Sequence, residues 1–502
     1  MVAVLLAAVL APLIVGAALV IADNIAGVGQ RTSAAIALSA SVVSAACVGI
    51  AVIERPVLDQ DWVPALGLRL HLGIDGISAP LLVLTAGIGV LTVLHGIARP
   101  PATAVTGRRE RHGTFLGSLL LVIGAAIATF LAQDAILFFA AFELVLIPMW
   151  MLIKGFGDPH TRVEAASRFV LYTVLGSTLM LVGILAMTYA VGSSDLATLA
   201  AQGPATLSTS QQVLIAALLL VGLGIKVPVF PLHSWLPSAH TSAPTAGSIL
   251  LAAVLLKLGT YGVVRLVAGP VSDGLAQLSP VVGVIAVVGI LWGGLVCLAE
   301  PSLKRLVAWS SVAHMGFVVL ALSTGTVTGV QAALYGNLAH GVVSALLFVV
   351  AGGLKERWGN DDVTMPRPAL RETSPRLGFA LVVGMAGSLA LPGLAAFWGE
   401  VLAVFSAWTP GAYRPELLFR ILTILAALGG VLASAYALRV LRLVHFTGGG
   451  SDDKSEGADD FHGAEWVVAA VLIVAVVGLG LAPSAILPIS EADVIQLLGV
   501  SR

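Results

Sequence analysis

From Val2 onward the chain runs through about fourteen stretches of mostly apolar residues. They lie near 2–22, 33–53, 76–97, 114–131, 134–154, 166–192, 211–233, 244–267, 279–299, 303–324, 329–354, 377–408, 417–446 and 464–488, and are called spans 1–14 below. A helix needs about 20 mostly apolar residues to cross a bilayer, so the expected fold is an all-α polytopic membrane protein with about fourteen transmembrane helices. Only 11% of the residues are charged, against about 25% in soluble domains. The net charge of −1 leaves no footprint for nucleic acid. Cys47 and Cys297 both sit in apolar runs and are read as packed thiols. An iron–sulfur cluster needs about four thiolates, so this chain cannot hold one alone. The N-terminus is apolar from residue 2 without a basic leader segment, which reads as a retained first span.

The polar connectors "GIARPPATAVTGRRERHG", "KERWGNDDVTMPRPALRETSPR" and "TGGGSDDKSEGADDFHG" are surface loops, too short for a soluble domain. Basic residues mark orientation, because cytoplasmic loops carry the excess of Lys and Arg. Arg99, Arg108, Arg109 and Arg111 follow span 3, and Lys154, Arg162 and Arg168 follow span 5. Lys304 and Arg305 follow span 9, and Lys355, Arg357, Arg367, Arg371 and Arg376 follow span 11. Odd-numbered loops hold about 18 of the 26 basic residues, which places both termini on the non-cytoplasmic side.

Two spans are interrupted by proline, the seventh at Pro228 and Pro231 and the twelfth at Pro392-Gly393. They stand five spans apart, an odd number, so two copies of a five-span unit would insert in opposite directions. Matched broken helices of this kind are the sequence sign of an inverted repeat with its site at the breaks. The expected organisation is a three-helix segment over 1–113, a first five-helix repeat over 114–267 and an inverted second repeat over 268–446. A loop and the last transmembrane helix fill 447–502.

A charge at the bilayer centre costs at least about 2.5–3.5 kcal/mol on insertion scales, so each is a functional candidate. Glu143, Lys226, Lys257, His314, His340 and Glu400 lie deep in the spans. The blander readings are a buried ion pair for Glu143 and packing roles for the two histidines; mid-span lysines are too deep to snorkel cheaply. His233 and His240, near an interface, read equally well as proton-uptake groups or as loop and cap residues. Proline frees backbone carbonyls, and irregular backbone is tolerated in a membrane only where it lines a cavity or is buried in protein. That explains how Lys226 can be placed at a break. Desolvation disfavours the charged lysine and a nearby carboxylate restores it. A Glu–Lys pair at about 4 Å and an effective dielectric near 20 is worth about 4 kcal/mol, so moving Glu143 relative to Lys226 would switch the lysine's proton. The six residues then read as a relay running laterally between the two breaks. Nucleotide-loop and metal-ligand spacings are missing.

"FELVLIPMWMLI", "GIKVPVFPLHSWLPSAHTSAPTAGSILLAAVLLKLGTYGVVR", "KRLVAWSSVAHMGF" and "LAHGVVSALLF" resemble the antiporter-like membrane subunits of NADH-quinone oxidoreductase (respiratory complex I). The likeness extends from about residue 70, at "GIDGISAPLLVLT", to about 445. Glu400 in span 12, where other types carry lysine, resembles the chain M type; the lack of a long lateral C-terminal helix fits that too. The resemblance implies a proton-pumping, quinone-reducing complex in a bacterial plasma membrane. It also implies that Glu143, Lys226, Lys257, His314, His340 and Glu400 hold the family's pumping positions. FMN, iron–sulfur clusters and most of the quinone site would belong to partner subunits. Those partners would be chain L and chain N type neighbours and a peripheral NADH-oxidising arm. The alternatives left open are a subunit of a multisubunit sodium/proton antiporter or of a membrane-bound hydrogenase, and, from another class, a membrane scaffold with vestigial charges.

Overall fold

The computed structural model describes residues 1–63, 68–102, 111–447 and 459–500. Arg108 and Arg109 of the third loop, and 450–458 of the acidic connector, lie outside the described residues. Among the described residues, thirteen helices are long and apolar enough to cross a membrane. The remaining expected crossing, span 12, is two shorter helices, Pro375–Ser388 and Ala395–Trp408. Span 7 also breaks: Thr209–Lys226 is helical, and a turn follows before the short helix Trp235–Ser242. Both interruptions fall where the prolines put them, since proline has no N–H for the helix ladder.

Three features were not expected from the sequence. Between spans 2 and 3, Leu58–Val63 and Leu68–Leu72 pair as an antiparallel two-stranded sheet. A short helix, Leu196–Thr206, follows span 6, with the Asp195 carboxylate capping it at the Thr198 N–H. The last span ends at Leu481 rather than near 488, because Pro483 and Pro488 interrupt the run, and a separate helix, Leu487–Leu498, follows. Hairpin and short helices lie on one face: His71 meets Asp195 at 3.0 Å, and Asp493 accepts from the Gly76 N–H at 2.6 Å.

Burial sorts the helices. Thr245–Ala268 and Val327–Trp358 are buried along their whole apolar length, while the outer Val2–Ile25 and Gly463–Leu481 are one-third buried. The two central helices are those of spans 8 and 11, which carry Lys257 and His340. Helices in lipid gain little from hiding apolar surface and associate through close packing at small residues. Gly117 shows this: a Cβ there would lie 2.6 Å from the Gly16 carbonyl oxygen of span 1. Gly222 of span 7 meets the Gly176 carbonyl of span 6 at the same hypothetical 2.6 Å. On the face opposite the hairpin, Glu465 accepts from Arg99 at 2.9 Å and from Arg357 at 2.8 Å. This ties the ends of spans 3, 11 and 14. Losing one partner of such a buried pair costs about 3–5 kcal/mol.

Candidate functional site

At the break of span 7 the backbone accounting is explicit. Val229 N–H donates to the Gly224 carbonyl at 2.8 Å, one residue further back than in an α-helix. That leaves the Ile225 carbonyl without its ladder donor, and the indole Nε1–H of buried Trp235 supplies one at 2.8 Å. The break is therefore held shut by a side chain nine residues beyond Lys226. Lys226 itself is buried, at 2% exposure, and its Nζ has no hydrogen-bond partner. It lies 4.8 Å from the ring centroid of Phe142 and 5.9 Å from that of Phe169, so aromatic faces are its stabilising surroundings. Glu143 precedes Pro148 in the same span, where the helix is interrupted between Leu144 and Leu146. Its carboxylate accepts from the Ser177 hydroxyl of span 6. Among the described residues no carboxylate comes within 4.0 Å of Lys226. The structure holds Glu143 and Lys226 apart.

Span 8 departs from α-geometry on both sides of Lys257, with wide turns at Leu251–Leu255 and Val264–Ala268. Such π-turns displace carbonyls from the helical ladder and often mark functional sites. Here the Ala252 carbonyl accepts from Lys257 Nζ at 2.5 Å. The same Nζ lies 2.5 Å from His340 Nδ1. The His340 and His314 rings are 6.0 Å apart, centroid to centroid, and edge-on. Beside them is a cavity of about 30 Å³ lined by Ser310, His314, His340, Ser344, Ser388 and Glu400. That is room for one or two waters. His314 Nδ1 is 2.8 Å from Glu400 Oε1, and His314 Nε2 is 3.1 Å from the Ser388 hydroxyl, itself 3.2 Å from the Tyr436 hydroxyl.

Four of the six expected residues, Lys257, His340, His314 and Glu400, therefore form a near-continuous row of titratable groups, the first two buried and the last two partly exposed. Glu143 and Lys226 form a second group outside it. The two groups are separated by tight packing of span 7 on span 8, where a Cβ on Gly259 would lie 3.2 Å from Lys226 Cβ. Ser177, Trp235, Ser388 and Tyr436 are participants that the sequence did not single out. A serine or aromatic residue in an apolar run carries no signal of its partner. His240 stacks on Phe348 at 4.5 Å with both ring nitrogens unpartnered. His233 sits against Phe230 and Trp309. Among the described residues neither is hydrogen-bonded to the row.

The described residues contain no cluster of three or more His, Cys, Asp or Glu placed to hold a metal. What this arrangement can do is pass protons: amine, imidazole and carboxyl are in contact, with space for water where the contact lapses.

Residues 132–429 match the family described as NADH:quinone oxidoreductase/Mrp antiporter, TM. The chain is 37% identical over 427 residues to NAD(P)H-quinone oxidoreductase chain 4 1 of Synechococcus sp. (strain JA-3-3Ab), covering 84% of this chain and 78% of that one. It is 38% identical over 438 residues to the chain of the same designation from Synechococcus elongatus, at 87% and 78% coverage. A chain of respiratory complex I from Thermus thermophilus with bound NADH superposes with a TM-score of 0.84 and 28% identity, over 98% of this chain and 99% of that one. A chain of the Mrp complex from Dietzia sp. DQ12-45-1b shares the fold, with a TM-score of 0.85 at 22% identity, over 99% and 52%. A broken-helix pair, a Lys–His–His–Glu row and matches of this extent lead to one assignment: the chain belongs to the NADH:quinone oxidoreductase/Mrp antiporter family of membrane subunits, as a complex I subunit of the M type.

Proposed function

We propose that this proton-translocating subunit moves protons along Lys257, His340, His314 and Glu400, and that Glu143 and Lys226 act as the switch controlling that row. The observation that carries the reading is the contact series itself, with Lys257 Nζ 2.5 Å from His340 and His314 2.8 Å from Glu400. Buried ionisable groups in a membrane are expensive, and a series in contact is suited to handing on a proton. At the switch, Ser177 holds the Glu143 carboxylate away from Lys226. If Glu143 swings to about 4 Å from the ammonium, the pair gains about 4 kcal/mol at an effective dielectric near 20. That is about a thousandfold in the lysine's proton affinity. Withdrawal returns Lys226 to the faces of Phe142 and Phe169, with no carboxylate in contact with the amine.

In this reading the face opposite the hairpin, with Lys304, Lys355 and Arg357, is cytoplasmic, and both termini lie on the other side, in a bacterial plasma membrane. The units 114–267 and 268–446 are inverted copies that bring the two breaks to matching depths. The chain sits among chain L and chain N type neighbours, and FMN, iron–sulfur clusters and the quinone site reside in those partners and the NADH-oxidising arm. Glu400 in span 12 supports this assembly over a sodium/proton antiporter.

The test is Lys257→Leu in the assembled complex. NADH-driven acidification of inverted vesicles should fall by roughly tenfold or more, as expected when a proton-transfer group is removed. Undiminished acidification by a fully assembled variant would refute the relay. Purification of the native chain together with only other hydrophobic antiporter subunits, and no NADH-oxidising partners, would refute the assembly.

A further inference from the structure

We propose that Arg265 is an electrostatic stopper that keeps protons on the Lys257 row from leaving toward the hairpin face. The proposal rests on the relay reading above. Polar groups continue from Lys257 in that direction. The Thr260 hydroxyl donates to Asn337 Oδ1 at 3.0 Å, one turn along span 8, and the Asn337 amide nitrogen is buried without a partner. Next comes Tyr261, whose hydroxyl donates to the Phe130 carbonyl at 3.2 Å. Arg265 stands eight residues beyond Lys257, about 12 Å along the helix.

From the other side a polar cavity of about 160 Å³ reaches Arg265, lined also by Asp75, Gln133, Asp493 and Gln496. A route from the row to this cavity is thus laid out in polar side chains, and one buried cation lies across it. Arg265 is 7% exposed and always protonated. A fixed positive charge in a narrow polar path is a barrier to protons.

Its position is fixed from several directions. The wide turn Val264–Ala268 carries it, and its guanidinium lies 5.0 Å from the Tyr261 ring centroid. One nitrogen donates to the Asp75 carboxylate, whose other oxygen accepts from the Ile77 and Ser78 N–H groups at 3.0 and 2.9 Å. The helix Leu487–Leu498 straps that turn down: Asp493 accepts from Gly76, and a Cβ on Gly76 would fall 1.9 Å from the Ile489 carbonyl. Asp75 holds one side of the guanidinium, while Arg265 Nε has no partner, so one donor of the cation is left unsatisfied in the path. With Arg265 in place, the titratable group that Lys257 Nζ contacts among the described residues is His340, and the proton is directed there.

The experiment measures passive proton leak, without NADH, in liposomes holding the whole complex under an imposed pH gradient. Arg265→Leu should raise the leak severalfold over wild type, and Arg265→Lys, which keeps the charge, should restore most of the seal. Arg265→Leu combined with Lys257→Leu should return to wild-type tightness, because the leak passes through Lys257. If Arg265→Leu does not assemble, Arg265→Gln carries the test, since it removes the charge but keeps hydrogen-bonding atoms, and it should raise the leak by a similar severalfold. An assembled Arg265→Leu or Arg265→Gln variant as tight as wild type overturns the stopper. A leak that persists without Lys257 also overturns it, as simple loosening of the fold. Pumping that survives Lys257→Leu alone instead overturns the relay, so the two failures are told apart.

Discussion

At the break of span 7 the freed carbonyl is taken by Trp235 and the charge, Lys226, is left among Phe142 and Phe169 with no polar partner. At the break of span 12 the arrangement is reversed. There Trp398 Nε1 donates outward, to the Gly480 carbonyl of span 14 at 2.9 Å, and Gly480 packs so closely that a Cβ would fall 2.1 Å from the Gly393 carbonyl. The charge just beyond, Glu400, is in contact with His314. One break thus carries a charge with no polar partner, beside a carboxylate bonded to Ser177 instead. The other carries a charge already joined to its neighbours. A switch needs the first condition and conduction needs the second, so two similar interruptions of a helix can serve different ends.

The sharpest way to break this contrast is Lys226→Met. The side chain nearly keeps its length and loses its charge, and with the charge goes the cost of burying an ion that has no polar partner. The complex should unfold at higher temperature while acidification falls by roughly tenfold or more. Loss of stability, or retained pumping, would mean that Lys226 is a structural cation. Glu400→Gln is the matching change at the other break. It keeps an oxygen to accept from His314 but cannot carry a proton, so pumping should fall by about tenfold. Stability should change by less than about 1 kcal/mol, the worth of one ordinary hydrogen bond. A large fall in stability would make the His314–Glu400 contact a structural pair.

Ser177→Ala sharpens the comparison further, since it touches only the switch. Without that hydroxyl the Glu143 carboxylate has lost the bond that holds it from Lys226, and time spent near the lysine should rise. Removing a hydrogen bond to a charged group is worth about 1.5–3 kcal/mol. Pumping should slow by about two- to fivefold, with its pH dependence moved to higher pH as Lys226 holds its proton more firmly. The same substitution mirrored at span 12, Ser388→Ala, should leave the pH dependence where it is, because His314 keeps Glu400. Equal shifts at both sites would erase the distinction.

Much of this was open to reading before any coordinates. Apolar length marked the spans, Pro228, Pro231 and Pro392 marked the breaks, and the cost of burying charge marked all six residues, because each of these signals is local. What distinguishes the breaks was hidden for the opposite reason. Trp235 and Ser177 act through partners 10 and 34 residues away, at Ile225 and Glu143, and Tyr436 reaches Ser388 across 48 residues. Nothing in an isolated Ser, Trp or Tyr announces such a partner. The same holds for Arg265, whose carboxylate partner Asp75 is 190 residues away. The paired strands Leu58–Val63 and Leu68–Leu72 went unread because a search for runs of about 20 residues passes over strands of five or six.

The smallest expected effect concerns the support on the hairpin face, and it separates stability from transport. The hydrogen bond that His71 donates to the Asp195 carboxylate raises the His71 pKa above its ordinary 6.5, against desolvation that lowers it. The same bond holds the Asp195 carboxyl down to about 2, burial opposing. The His71 contribution is fully present below pH 6.5 and is lost as pH rises through its raised folded value. The Asp195 contribution is present above 3.8 and is lost as pH falls through about 2. Docking of the hairpin on the helix Leu196–Thr206 should therefore be tightest between about pH 4 and 6.5. Asp195→Asn should weaken it by about 0.5–1 kcal/mol, a modest value for a partly exposed pair, and should flatten that profile. Hydrogen exchange at Leu68–Leu72 would read the change. Because this pair lies on the side of the fold that carries the isolated charge, while touching neither break, pumping should be unaltered. If acidification fell with the hairpin contact, the first half would depend on its outer support in a way the second half does not, and the Lys226 switch would have to be redrawn to include the hairpin.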